Sequence, residues 1–188
     1  MTPETIKKIQ RLIGTPADGV WGPASERALD AASGGFDGSS AIPDDYFAKL
    51  AKIESGGRPY VKAQTSSASG LYQFIKSTWV GEGGVWGSDL TQAFGGLRPS
   101  TEEQTARART FTQKNADALA NASVKVTSAS LYAAHFLGVG TAINVLGKPP
   151  ETPLAHVTSQ GQIAANPSIL GGGKTVADFT AWLERKTA

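Results

Sequence analysis

Apolar positions recur at helical spacing in two separate stretches of the chain, one near the N-terminus and one after residue 43. In the first, Ile6, Ile9 and Ile13 fall on one face of a helix that Thr2 can cap ahead of Pro3 and that Gly14 ends. After the turn "TPADGVWGP", Pro23 can open a second helix whose Ala28 and Leu29 face the first. The run "SGGFDGSSA", residues 33 to 41, is rich in Gly and Ser and reads as a joint. The second stretch opens with "IPDDYFAKLAKIESGG", where Asp44 or Asp45 can cap a helix with Tyr46, Leu50 and Ile53 at i, i+4 and i+7. Gly56 and Gly57 end it. "GLYQF", residues 70 to 74, reads as a short extended segment before a helix starting near Ser77 or Thr78. The pattern predicts a mainly α protein with a small helical module at 1–34, a linker at 35–42 and a larger domain at 43–188.

Composition narrows the function. With 188 residues, 40% hydrophobic and 18% charged, the chain has room for one ordinary core and an appended unit, and Gly 22 with Pro 10 implies many turns. Lys+Arg 18 against Asp+Glu 16 leaves a formal +2, too little for the dense basic surface that nucleic acid binding needs. The chain has no cysteine, which excludes disulfides, thiolate metal sites and a cysteine nucleophile. Its two histidines, His135 and His156, match no zinc spacing, so neither a metal nor another cofactor is expected. No Gly-x-Ser-x-Gly elbow is present, and "GGGKT" at 171–175 has Ser168 where a phosphate loop needs its first Gly. The start, "MTPETIKK", lacks the apolar core of a secretory signal, and no apolar run approaches the roughly 20 residues of a membrane span. Synthesis in the cytoplasm without a signal peptide is the expectation, with no membrane span and a monomeric state.

Glu54 is the residue that stands out locally. It lies in the last turn of its helix, beside unpaired carbonyls and the negative end of the helix dipole, where a cation would be the stabilising choice. A lone glutamate is ordinarily a solvated surface residue. What changes that reading is "ES" at 54–55 followed by "GLYQ" at 70–73.

Two family resemblances attach to these stretches. "IQRLIG…DGVWGPASERAL" resembles the helix-turn-helix centre of peptidoglycan-binding modules, with Asp18, Gly19, Trp21, Gly22 and Pro23 matching that family's turn. The resemblance implies wall binding; since four bases balance four acids in residues 1 to 34, binding would rest on shape, hydrogen bonds and apolar contact. Trp21 could stack on a sugar or belong to the small core. The module is shorter than the family's usual one.

The second resemblance, over most of residues 43 to 186, is to lytic transglycosylases and goose-type lysozymes, as found in phage endolysins. It implies a lysozyme-like domain with a small β-hairpin lobe, acting on glycan strands of peptidoglycan. By position, Glu54 matches the catalytic acid, Ser55 its supporting neighbour, and Gly70, Leu71 and Gln73 the facing wall, with Tyr72 where Met is usual. The family's Ala-Tyr-Asn-x-Gly segment is represented by Ala134-His135-Phe136-Leu137-Gly138, so either His135 or nearby Tyr132 could support Glu54. "NPSILGGGKTVADFTAWLERK" is similar to the closing turn and helix of phage members.

Glycosidic cleavage needs a proton on the leaving oxygen, and burial or a helix C-terminus favours the protonated form of a carboxyl group. Most glycosidases add a second carboxylate. Glu82 and Asp89 are the nearest candidates in sequence, and nothing around them marks either. The resemblance implies a one-carboxylate route, in which the muramyl C6 hydroxyl closes a 1,6-anhydro ring; hydrolysis on the same fold is the alternative, and a non-catalytic wall or tail protein is another. Tyr72, which lies inside the motif, is the first candidate sugar platform, with Tyr60, Trp79 and Trp86 behind it, though a single aromatic is more often core than a ligand contact. The resemblance also implies release to the wall through a holin or delivery by a virion.

Overall fold

The computed structural model describes residues 2–22, 24–25, 28–29 and 41–188. It divides the chain into two compact units, Met1–Ser39 and Ser40–Ala188. Pro23 and the greater part of the expected linker lie outside the described residues.

In the first unit, α1 spans Pro3–Leu12, with the Thr2 side chain accepting from the Thr5 amide and Pro at the first position. Gly14 leaves the helix at φ 72. Among its described residues the unit is organised around a polar side chain. Gln10 is 1% exposed, and its Nε2 donates to Asp18 Oδ1 (2.8 Å), Val20 O (2.9 Å) and Ser25 Oγ (3.0 Å). Its Oε1 accepts from the Gly19 amide at 2.9 Å. Gly19 has φ +82, and a Cβ there would meet Pro3 O at 3.2 Å, so the turn requires glycine. The Asp18 carboxylate also accepts from the Val20 amide, which together with Gln10 holds it below the usual range. Trp21 and Gly22 follow, both half-buried. Leu29, expected to face α1, is 41% exposed.

The second unit is a helical assembly around one central helix. Its helices are α2 (Tyr46–Ser55), α3 (Lys76–Gly81), α4 (Thr101–Asn121), α5 (Ser128–Leu137), α6 (Val139–Leu146), α7 (Gln160–Ala165), α8 (Pro167–Leu170) and α9 (Val176–Thr187), with 3-10 turns at Ala93–Gly96 and Leu154–His156. Helix α5 packs against α4, α6 and α9. It buries Ser130, Leu131, Tyr132, Ala133, Ala134 and Leu137, and a helix apolar nearly all round belongs in the middle of a core. A capping box between Thr127 and Ser130 starts it, and Gly138 at φ 80 ends it. The ends of α4 and α9 follow the same logic: Ser100 accepts from the Glu103 amide, and Thr175 pairs reciprocally with Asp178. Along α9, Phe179 and Leu183 face inward, and Trp182 joins Phe179, Tyr132 and Phe136 in one aromatic cluster. Among the described residues no helix is long and apolar enough to cross a membrane.

Three local expectations are corrected. Asp45 occupies the cap position of α2 but makes no side-chain capping bond; it pairs with Lys49 at 3.1 Å instead. Residues 70 to 74 form a tight turn rather than an extended segment, because Gly70 (φ 80) and Gln73 (φ 48) are both left-handed. The following helix starts at Lys76, with Ile75 as its cap residue. Where the resemblance implies a β-hairpin lobe, the described residues carry isolated antiparallel bridges, Lys62 with Ser69 and Ser69 with Phe74.

Candidate functional site

Helix α2 delivers Glu54 to the surface of the core by ending where it does. Gly56 turns left-handed at φ 63, and the Gly56 and Gly57 amides close back on Lys52 O and Ala51 O, each at 3.1 Å. Ser55 Oγ donates to Ala51 O at 3.0 Å and accepts from the Arg58 amide at 3.2 Å. Arg58 Nε donates to Ser55 O at 2.8 Å, so a cation from beyond the glycines joins Lys52 of the last turn at the helix end. Ser55 therefore closes the end of α2 next to Glu54 through contacts with the backbone. The Glu54 side chain is left on the helix end without a lysine or arginine: among the described residues its ion-pair contact is to His135.

That contact comes from α5. His135 Nε2 lies 3.7 Å from Glu54 Oε1, longer than a hydrogen bond, with the two side chains 15% and 17% exposed. Burial holds His135 below its ordinary pKa, outweighing the opposite pull of the Glu54 charge, so the ring is a neutral imidazole with one donor and one acceptor. Tyr132, one turn earlier, stacks on His135 at 6.2 Å, and its phenol is raised first by burial, then by the Glu54 charge and a hydrogen bond with Glu54. Tyr46, at the start of α2, is raised by burial and by Glu54 as well. Sequence left open whether His135 or Tyr132 serves the carboxylate; the helical spacing of 132 and 135 brings both to it. Tyr46 was read only as core, and it is buried on the same helix as Glu54, close enough to feel its charge.

These neighbours give stability a definite pH dependence. A histidine with a depressed folded pKa binds its proton more readily when unfolded, so its contribution is present above about 6.5 and is lost as pH falls below it. Denaturant midpoints measured between pH 7 and 5 should fall, with a slope of at most about 1.4 kcal/mol per pH unit from this one proton. In His135→Gln the slope should be shallower by that amount. The two raised tyrosines act at the other end, with stability falling as pH rises above 10.

The second motif is held by a residue the sequence reading passed over. Gln104, on α4 and 1% exposed, accepts from the Leu71 amide at 2.8 Å and donates to Pro59 O and Pro99 O, each at 3.1 Å. It thus joins the loop after Glu54 to the turn before Gln73. Gln73 Nε2 donates to Gly70 O (3.0 Å) and Val61 O (3.4 Å), folding its amide back onto its own turn. A left-handed glutamine is uncommon, and such positions concentrate at sites. The signal that could have revealed Gln104 is a polar residue on the buried face of an otherwise amphipathic helix.

Gln73 and His135 face a common groove of about 340 Å³, walled also by Phe74, Ile75, Thr78, Phe111 and the 136–138 segment. Glu54 is not among its walls; its carboxylate contacts His135, which is. Leu71 and Tyr72 are core: Tyr72 is 4% exposed, with its hydroxyl 3.0 Å from Thr105 Oγ1 and its ring edge-on to Phe47. Trp79 is fully buried against Phe74 and Phe94 and donates to Val85 O at 2.9 Å. Neither ring is a platform for a sugar. Tyr60, under the Arg98 guanidinium, and Trp86, half-buried on Phe94, keep accessible faces.

Both second-carboxylate candidates are engaged elsewhere. Glu82 is 8% exposed, and both its oxygens accept from Lys114 Nζ at 2.9 Å. Asp89 accepts from the Thr91 hydroxyl and amide and from Gln92, which hold its carboxyl below the usual range. Among the described residues no group of three or more histidines and carboxylates converges as a metal site would.

No family model matches the chain. Over 43 residues, 23% of its length, it is 44% identical to proteins described as "Probable transglycosylase SceD" from Staphylococcus aureus strains bovine RF122 / ET3-1 and MRSA252. The match spans 19% of the length of those relatives. In that stretch the chain is similar to a probable transglycosylase.

Proposed function

We propose that this protein is a cell-wall-degrading enzyme of the endolysin kind, cutting the β-1,4 bond between N-acetylmuramic acid and N-acetylglucosamine by lytic transglycosylation. The observation that carries the reading is Glu54, a carboxyl group at a helix end contacted by a neutral imidazole and a phenol, beside a groove that His135 and Gln73 share. The local similarity to a probable transglycosylase supports it.

In this mechanism Glu54 gives its proton to the bridging oxygen as the glycosidic bond breaks, and the leaving sugar departs as an alcohol. The muramyl N-acetyl oxygen stabilises the positive charge left at C1. Glu54, now a carboxylate, removes the proton from the C6 hydroxyl, whose oxygen bonds to C1 and closes the 1,6-anhydro ring. The proton count balances with one carboxyl group and no water. His135 and Tyr132 hold Glu54 in both states, since a neutral imidazole and a phenol can each donate or accept. The engagement of Glu82 by Lys114 and of Asp89 by its own turn favours this route over one with a second carboxylate.

On the same reading the first unit is a wall-binding module whose Asp18, Gly19, Trp21 and Gly22 turn is set by Gln10, and the enzyme reaches the wall by holin release or from a virion. Mass spectrometry of digested peptidoglycan tests the chemistry. Anhydromuramyl ends are the expected product, and reducing muramic ends in their place would assign hydrolysis instead.

A further inference from the structure

One surface of the second unit is basic, aromatic and unused by the mechanism. A cleft of about 300 Å³ is walled by Lys62, Lys76, Trp86 and Gln92 among other polar residues, and a second of about 220 Å³ by Lys62, Gln92, Tyr60 and Arg98. The clefts share Lys62 and Gln92, so they form one continuous surface. Neither is lined by a carboxylate, and among the described residues none of the three cations pairs with one. Lys62 Nζ donates to Ala63 O and Ser66 O, each at 3.1 Å, which fixes its ammonium in place at the mouth. Arg98 is fixed over the Tyr60 ring at 4.9 Å from its centroid.

We propose that this surface binds the carboxylate-bearing peptide branch of the wall polymer, a reading that rests on the proposed function. Ile75 walls the groove next to His135, and Lys76, the next residue, walls the basic cleft. A glycan strand lying in the groove therefore has the cleft within one residue of it, where a branch leaving the muramyl lactyl group would run. The lining suits a peptide: Gln92, whose Nε2 is held by Asp89, keeps its amide oxygen for a backbone N–H, Trp86 and Tyr60 offer apolar faces, and spaced ammonium and guanidinium groups meet carboxylates set residues apart. A polyphosphate chain would call for cations converging on each phosphate, and Lys62 spends two of its three donors on carbonyls.

The test is equilibrium binding of a soluble muramyl peptide to the full chain, since this probe has no glycosidic bond to cut and reads the cleft independently of Glu54. Binding should weaken roughly tenfold in Lys62→Gln/Lys76→Gln and fall with added salt. Lys76→Gln alone, which leaves the Lys62 carbonyl bonds intact, should weaken it by a smaller factor in a protein of unchanged melting temperature. Binding unchanged in both variants would overturn the proposal. So would tight, lysine-dependent binding of a teichoic acid polymer with none of the muramyl peptide. If muramyl peptide binds through these lysines while Glu54→Gln still cleaves walls, the cleft stands and the catalytic assignment falls.

Discussion

Glu54→Gln is expected to lose lytic activity by a factor of about 10²–10⁴, the usual worth of a positioned general acid. The amide keeps the shape of the side chain and its polar contacts with His135 and Tyr132, but it has no proton to give and cannot accept one from the C6 hydroxyl. Because one group performs both steps in the proposed route, no second residue should rescue it. Turbidity loss of purified walls measures the rate, and pelleting with walls reports binding separately. Lysis at the parental rate would remove Glu54 from the reaction. Loss of lysis together with loss of the folded state, seen as a lowered melting temperature, would mean the variant had acted on structure.

The second large effect is on stability, and it comes from Gly70→Ala. Gly70 has φ +80, and a Cβ built there would lie 2.4 Å from both Gln104 Oε1 and Phe94 Cζ. Neither neighbour can yield cheaply: Gln104 is bound to Leu71, Pro59 and Pro99, and Phe94 is buried between Trp79 and Trp86. The left-handed backbone and the overpacking together should cost roughly 2–5 kcal/mol. That corresponds to a melting temperature lower by on the order of 5–15 °C. Gly140→Ala is the matched control, since Gly140 lies in α6 with nothing within 4 Å of its Cβ position. There alanine should be neutral or stabilising by up to about 1 kcal/mol. If calorimetry finds the two variants equally stable, the packing of the Gly70 turn has been misread.

Much of this was open to inspection in the chain. The mainly α character follows from local periodicity: Tyr46 and Leu50 are buried on α2 as their spacing implies, and Thr2, Gly14 and Gly56 begin and end helices as their backbone chemistry dictates. Glu54 could be singled out because helix ends are local features and a negative charge there is locally unfavourable. The failures are equally physical. Tyr72 and Trp79 could be named as candidate sugar platforms, with core the other reading, because a sequence does not say which way a ring turns, and both rings went inward. Residues 70 to 74 looked extended because apolar residues in a row mimic a strand, whereas Gln73 takes a left-handed backbone that glutamine does not advertise.

The polar residues that organise the two units were invisible for a related reason. Gln10 and Gln104 each tie together backbone groups from separate segments, and a glutamine in a helix ordinarily points to solvent. Burial turned them from surface residues into hubs, because every carbonyl and amide enclosed with them needed a partner. By itself the sequence determined that the stretches at 3–12 and 46–55 are helical, where those two helices stop and which carboxyl group stands at a helix end, all of which are set by interactions within a few residues; it did not single out α4, α6 or α7. Only the tertiary structure decided what surrounds Glu54, since Tyr132 and His135 reach it through the packing of α5 on its neighbours, and it engaged Glu82 with Lys114 across 32 residues of chain. Contacts of that range depend on which faces are buried against each other, and no local pattern encodes that choice.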